Sequence, residues 1–238
     1  MAERAVFYKG HGLKVSRRLA LAALLVAAAP LHAQNAGTHR FDGGTFSVEL
    51  PAGIPALPLL RESAKTQIFG GRHADGSVVL VLRGRATGQV VDTALARRTL
   101  MRMSNDSAAV ERRLQDLGDL SRHDPDTVLD ALADTTLEAR RFFLQQVHAA
   151  FVQFNQAEIG LSGDAREIVT DERVALRSPV TLRLAGSPPL QGTADVLIPR
   201  RGAMTVVWIV AYAAPRRTPA FDAAAERTLD SFRVTGGR

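Results

Sequence analysis

The sharpest pattern of apolar and polar positions along the chain is the alternation Thr45-Phe46-Ser47-Val48-Glu49-Leu50. Phe46, Val48 and Leu50 share one face and Thr45, Ser47 and Glu49 the other, which predicts a half-buried strand. Pro51 and Gly53 end it, and the proline-rich stretch to Pro58 reads as loop. Two further runs, Thr66 to Arg72 and Ser77 to Arg85, flank His73-Ala74-Asp75-Gly76, whose Asp-Gly pair signals a hairpin. In the second run Val78-Val79-Leu80-Val81-Leu82 does not alternate, as in a strand covered on both faces.

The period then changes. A helical stretch is predicted from about Asp92 to Leu117, with Ser104-Asn105-Asp106 as a possible break. A second start lies at Asp124-Pro125-Asp126: a capping oxygen, a proline where no donor is needed, and an acid near the positive end of the dipole. Val128, Leu132, Ala139, Phe143, Val147, Ala150 and Phe154 follow at steps of three, four or seven, giving a helix with a long apolar stripe. A strand is expected around Val174 to Leu184, where Pro179 suggests an edge or a bulge. Gly186-Ser187-Pro188-Pro189 reads as a turn, and Arg200-Arg201-Gly202 joins Thr193–Pro199 to Ala203–Ala213 as a hairpin. Thr218 and Pro219 open a final amphipathic helix that packs through Phe221, Ala225, Leu229 and Phe232.

The stretch Ala203 to Ala213 decides the architecture. Val206, Trp208, Val210 and Tyr212 lie on one face, Val207, Ile209 and Ala211 on the other, and neither face has the polar residues of a solvated surface. Burial on both sides requires covering layers above and below, which the helices can supply. The hairpins imply antiparallel pairing. The predicted fold is α+β, a three-layer α/β/α sandwich with a central, mainly antiparallel sheet.

Composition adds a destination. Arg17 and Arg18 precede LALAALLVAAAPL, residues 19–31, and His32-Ala33-Gln34, the three parts of a secretory signal peptide. Its apolar run of 13 residues is short of the roughly 20 needed to span a membrane, and Pro30 interrupts it. Cleavage is therefore favoured over an uncleaved anchor. The export route, general or twin-arginine, is left open. Residues 1–33 are read as the signal peptide, 34–44 as a flexible N-terminal segment and 45–238 as a single domain, with no transmembrane segment after cleavage.

The leader also accounts for most of the basicity. The whole chain has 30 basic and 24 acidic residues, and residues 34–238 have 25 and 23, a net charge of +2. So balanced a domain lacks the single-sign field of a nucleic-acid binder. The absence of cysteine excludes disulfides, thiol nucleophiles and thiolate metal sites, although an exported protein could have used disulfides.

Candidate chemistry is sparse. His39, His73, His123 and His148 are the histidines outside the leader, and no pair has metal-site spacing. His73 at a hairpin tip and His123 before a helix read as solvated loop residues. Asp124, Asp126, Asp130 and Asp134 lack the glycine turn and spacing of a calcium loop and read as capping and a solvated face. Asn105-Asp106-Ser107 fits the glycosylation pattern. There is no Gly-x-Ser-x-Gly elbow or phosphate-cradling loop, and Ser162-Gly163 and Gly70-Gly71 are isolated turn signals. Phe143, Phe151 and Phe154 read as core packing rather than a ligand groove. Trp208 and Tyr212 are the first residues to consider if a pocket exists. The sequence assigns no catalytic, cofactor-binding or metal-binding residue and expects no cofactor.

Phe46-Ser47-Val48-Glu49-Leu50-Pro51-Ala52-Gly53 resembles the opening strand and Pro-x-Gly exit of the PsbP/Mog1-like families. The late hairpin through Ala213 and the closing Leu229-Asp230-Ser231-Phe232-Arg233-Val234 look like that family's final strand pair and helix. The helical section from Asp92 to about Asn155 is longer than the family's pattern. The resemblance implies the α/β/α sandwich and a binding, assembly or accessory role, with no shared catalytic motif to carry over. The expected function is an exported, non-enzymatic binding protein whose partner is a protein or envelope component. The alternatives are an exported hydrolase assembled from distant residues and a carrier of a small apolar ligand, the last requiring an enclosed cavity of roughly 300 Å³ or more.

Overall fold

The computed structural model describes residues 38–41, 45–63, 66–85, 108, 136–154 and 158–235. In chain order its elements are strands β1 (Thr38–Phe41), β2 (Phe46–Glu49), β3 (Leu59–Glu62), β4 (Thr66–Arg72) and β5 (Val78–Arg85), helix α1 (Leu137–Phe154), strands β6 (Ile159–Leu161), β7 (Arg166–Val169), β8 (Arg173–Leu182), β9 (Leu190–Pro199) and β10 (Val206–Ala214), helix α2 (Pro219–Ser231) and strand β11 (Arg233–Val234). One sheet has the order β1-β2-β11. The larger has the order β3-β4-β5-β10-β9-β8-β6, with β7 also paired to β8. The strand pairs are antiparallel, so the chain is an α+β fold built on mostly antiparallel sheet and two described helices.

The double burial expected of β10 is present. It lies between β5 and β9, with Val210 opposite Val81 on one side and Asp195 on the other. Val207, Ile209, Ala211 and Ala213 share a core with Phe143, Leu144 and Val147 of α1. Trp208, Val210 and Tyr212 share another with Phe221, Ala225 and Leu229 of α2 and with Phe46 and Val48 of β2. One face of the strand therefore looks toward α1, the other toward α2 and the small sheet together. β5 divides in the same way, Val78 and Leu80 to the α1 side, Val79 and Val81 to the other. Burying each such aliphatic side chain contributes about 1.5–3 kcal/mol, which is why neither strand retains a polar face.

The turns follow their local chemistry. Gly76 closes the β4–β5 hairpin at φ 87°, a left-handed conformation that a side chain would strain. Asp75 Oδ1 accepts from Ser77 N at 2.7 Å within that turn. Thr218 caps α2, its Oγ1 accepting from Phe221 N at 3.1 Å, with Pro219 at the first helical position. Phe221, Ala225, Leu229 and Phe232 are the apolar residues that α2 and its C-cap bury, together with Thr228, as their spacing requires.

Several expectations need correction. Thr38–Phe41, inside the segment 34–44 read as flexible, form β1 and pair with β2 from Thr38↔Glu49 to Phe41↔Phe46; the stretch carries no strict alternation of apolar and polar residues. β3, β6 and β7 are unanticipated for the same reason. Gly70 and Gly71 are strand residues of β4 rather than turn signals. A Cβ at Gly71 would lie 2.4 Å from the Ala56 carbonyl oxygen, so the glycines admit the Pro51–Pro58 loop against the sheet. Of the helix expected through Val128 to Phe154 the described part is α1, which begins after Thr136, a residue that is not helical. Its Oγ1 accepts from Ala139 N at 3.2 Å and its carbonyl from Arg140 N at 3.1 Å, a new N-cap that starts α1.

Pro179 is neither on an edge strand nor at a bulge, since β8 pairs with β9 through Pro179↔Thr193 without a register shift. β9 pairs with β8 along one side. On the other, β6 ends opposite Val180 and β7 begins opposite Arg177. Pro179, between those positions, accepts from Ser162 N through its carbonyl at 3.0 Å, and its missing N–H falls where the partner strand is broken. The helical readings at 92–117 and 124–132, with His123, Asp124, Asp126, Asp130, Asp134 and Asn105-Asp106-Ser107, lie outside the described residues. So do residues 1–33.

Candidate functional site

Strand β8 places two buried polar groups back to back. Its alternation turns Val174, Leu176, Val180 and Leu182 toward α1, with Ser178 among them, and turns Ala175 toward α2, with Arg173 and Arg177. The sequence reading missed both groups. A signal for one was available: a single aspartate in the apolar run Thr193–Pro199, and two arginines four residues apart on one face of the preceding strand.

On the α2 side Arg177 meets Asp195 in a two-bond ion pair, Nε to Oδ1 at 2.7 Å and Nη2 to Oδ2 at 2.9 Å. Asp195 is 0% exposed. The remaining donors of Arg177 reach α2: Nη1 to Glu226 Oε2, and Nη2 to Asp230 Oδ1 at 2.8 Å. Arg173 Nη2 donates to the Leu229 carbonyl at 2.7 Å and Nη1 to the Phe232 carbonyl. α2 has no basic residue in its own last turn, so a guanidinium from the sheet meets the negative end of its dipole. Burial pulls the Arg177 pKa down, but the hydrogen bond and charge of Asp195 outweigh it and the net direction is up. Arg173 moves down through burial, despite Asp195. Such charges cost several kcal/mol each to desolvate and persist because their donors and acceptors are matched. The arrangement clamps α2 to β8 and β9.

On the α1 side His148 Nε2 lies 3.2 Å from Ser178 Oγ, the two residues being 5% and 1% exposed. Burial lowers the imidazole pKa, so the ring is neutral at neutral pH. A hydroxyl beside a neutral imidazole is the start of a nucleophile–base pair, which further requires a group orienting the base, donors for an oxyanion and room for substrate. The neighbours contributed by β8, β9 and β6 are instead Val180, Ala194, Val196 and Leu161, and α1 lies over the pair. This geometry makes a packed hydrogen bond between a helix and a sheet.

The residues singled out in the sequence divide as follows. Trp208 is 0% exposed, its ring centroid 5.4 Å from that of Phe46 and 5.5 Å from that of Phe232, with the Arg83 guanidinium 5.5 Å away. Its Nε1 has no acceptor among the described residues. The Tyr212 ring lies tilted against Phe221, centroids 4.7 Å apart, and burial raises its phenol pKa. Phe143 is fully buried under α1 and Phe151 packs beside that core. Phe154 ends α1, and His39 stands in β1 opposite Val48. His73 sits at the hairpin tip with Nδ1 2.9 Å from Asp75 Oδ1. Ser162-Gly163 lies between β6 and β7. These residues do not converge on one place.

Two open clefts are present. One of about 220 Å³ is lined by Ser162, Pro179, Thr181, Arg183 and Gln191. The other, of about 300 Å³, is lined by Glu62, Thr66, Gln67, Arg83, Arg85 and Val206. Both are open and lined by a mixture of polar and apolar groups, whereas a carrier requires an enclosed apolar cavity. Among the described residues no group of three or more His, Asp or Glu could hold a metal ion, and no helix is long and apolar enough to cross a membrane.

No protein-family model matches the chain, and no curated protein matches it. Among solved structures the chain is similar to a mutant of protein Mog1, with 11% sequence identity and a TM-score of 0.34 over 85% of this chain and 97% of that one. A likeness at that level assigns no activity, partner or site residue to this chain.

Proposed function

We propose that the chain is an exported, non-enzymatic binding or accessory protein of the cell envelope, with a three-layer α/β/α sandwich of the PsbP/Mog1 type. The leader of residues 1–33 supports export. The observation that carries the rest is the internal use of its reactive-looking groups: Arg173, Arg177 and Asp195 hold α2, Ser178 and His148 join α1 to the sheet, and Trp208 fills a core. Among the described residues this leaves the outer surface, which suits recognition of a protein or other envelope component. Affinity capture of the mature chain from its native envelope tests this reading, which predicts the same co-purifying component in repeated captures and no covalent labelling by a fluorophosphonate. Labelling that disappears in Ser178→Ala would overturn it. Intact-mass measurement of the exported chain is expected to place its first residue near Gln34.

A further inference from the structure

We propose that the seat of α1 on the sheet is an acid-sensitive latch operated by His148. The inference is independent of which partner the surface recognises. α1 reaches the sheet through an apolar stripe, Ala139, Phe143, Leu144 and Val147, all 0% exposed. Two polar attachments interrupt that stripe. Arg140, in its first turn, donates to the Pro199 carbonyl at 2.8 Å and to the Gly202 carbonyl at 2.9 Å. His148, three turns along, meets Ser178. The first attachment is permanent, because a guanidinium does not titrate in the working range of a protein. The second depends on a ring that does.

Among the described residues of α1, β6, β8 and β9, a proton on His148 would meet no counter-charge. β8 turns Val174, Leu176, Ser178, Val180 and Leu182 toward α1, β9 turns Leu190, Ala194, Val196 and Ile198, and β6 contributes Ile159 and Leu161. The charged residues of β8 and β9, Arg173, Arg177 and Asp195, bond on the opposite face. On α1 itself Glu138, Arg140 and Arg141 lie two or more turns away, and Arg141 is engaged with Glu167 of β7 at 2.6 Å. Burial alone displaces the imidazole pKa, and the displacement is downward. The folded protein therefore binds this proton less readily than the unfolded chain does. The stabilisation is complete above about pH 6.5, the ordinary histidine value, and is lost as pH falls through the lower folded pKa. Opening of α1, in which His148 reaches water, becomes about tenfold more frequent per pH unit across that interval.

Amide hydrogen exchange on the whole chain, corrected for intrinsic chemical exchange at each pH, tests the latch. From pH 7.5 to pH 5 the amides of α1 are expected to lose protection as the pH falls below about 6.5, while those of α2 keep theirs. In His148→Gln, which is neutral at every pH, the dependence should vanish. In Ser178→Ala it should persist. Should His148→Gln fail to fold, the imidazole carbon resonances of the wild-type chain decide: a midpoint below 6.5 that tracks α1 exchange supports the latch. Protection in α1 that is flat with pH, an unchanged dependence in His148→Gln, or a His148 midpoint at the ordinary value would overturn it.

Discussion

Arg177 and Asp195 face each other across β8 and β9 through two hydrogen bonds of 2.7 and 2.9 Å, with Asp195 fully buried. Removing one partner strands the other charge inside the protein. Asp195→Ala is expected to destabilise the chain by about 3–5 kcal/mol in urea unfolding. Replacing both charges together, as Arg177→Met with Asp195→Leu, should recover most of that loss, because no isolated charge remains. Equal destabilisation by the single and double variants would show that the pair does not act as a unit.

Gly192 marks a second unforgiving place. A Cβ there would lie 2.0 Å from the Tyr212 carbonyl oxygen and 2.6 Å from Ala213 Cα, both of them backbone atoms that cannot rotate away. Gly192→Ala should cost about 1–3 kcal/mol through overpacking. Gly163, with nothing within 4 Å of the same position, provides the control, and Gly163→Ala is expected to leave the unfolding midpoint nearly unchanged.

The β4–β5 hairpin should respond to acid independently of α1. Burial pushes the Asp75 carboxyl upward, but the hydrogen bonds from Ser77 and His73 pull further, and its pKa lies below the ordinary aspartate value. Its contribution is complete above about pH 3.9 and is lost as pH falls through the lower folded value. Asp75→Asn should therefore remove part of the loss of stability below pH 4 and leave the behaviour near pH 6 untouched, as read from thermal midpoints across that range.

Long or strongly patterned segments were legible in the sequence. Phe46, Val48 and Leu50 alternate with polar neighbours, Val78 to Leu82 and Val206 to Ala213 are apolar without alternation, and Thr218-Pro219 announces a helix start. Each of these patterns is produced by local burial or capping. The missed strands β1, β3, β6 and β7 have three or four residues apiece, carry no strict alternation of apolar and polar residues, and owe their conformation to a neighbouring edge. Thr136 escaped notice because apolar spacing continues across it, and a cap competes with spacing only through its side-chain oxygen. The polar pairs were harder still. Arg177 and Asp195 are 18 residues apart, and His148 and Ser178 are 30; only the register of β8 with β9 and the seating of α1 bring them together.

Trp208 is the chain's single tryptophan, so its fluorescence reports directly on the claim that β10 is enclosed on both faces and that its aromatic residues are core rather than site. The native chain should emit at short wavelength and resist acrylamide quenching until urea unfolds it, with no change from small apolar additives. An emission maximum characteristic of water, or free quenching of the folded chain, would contradict the account.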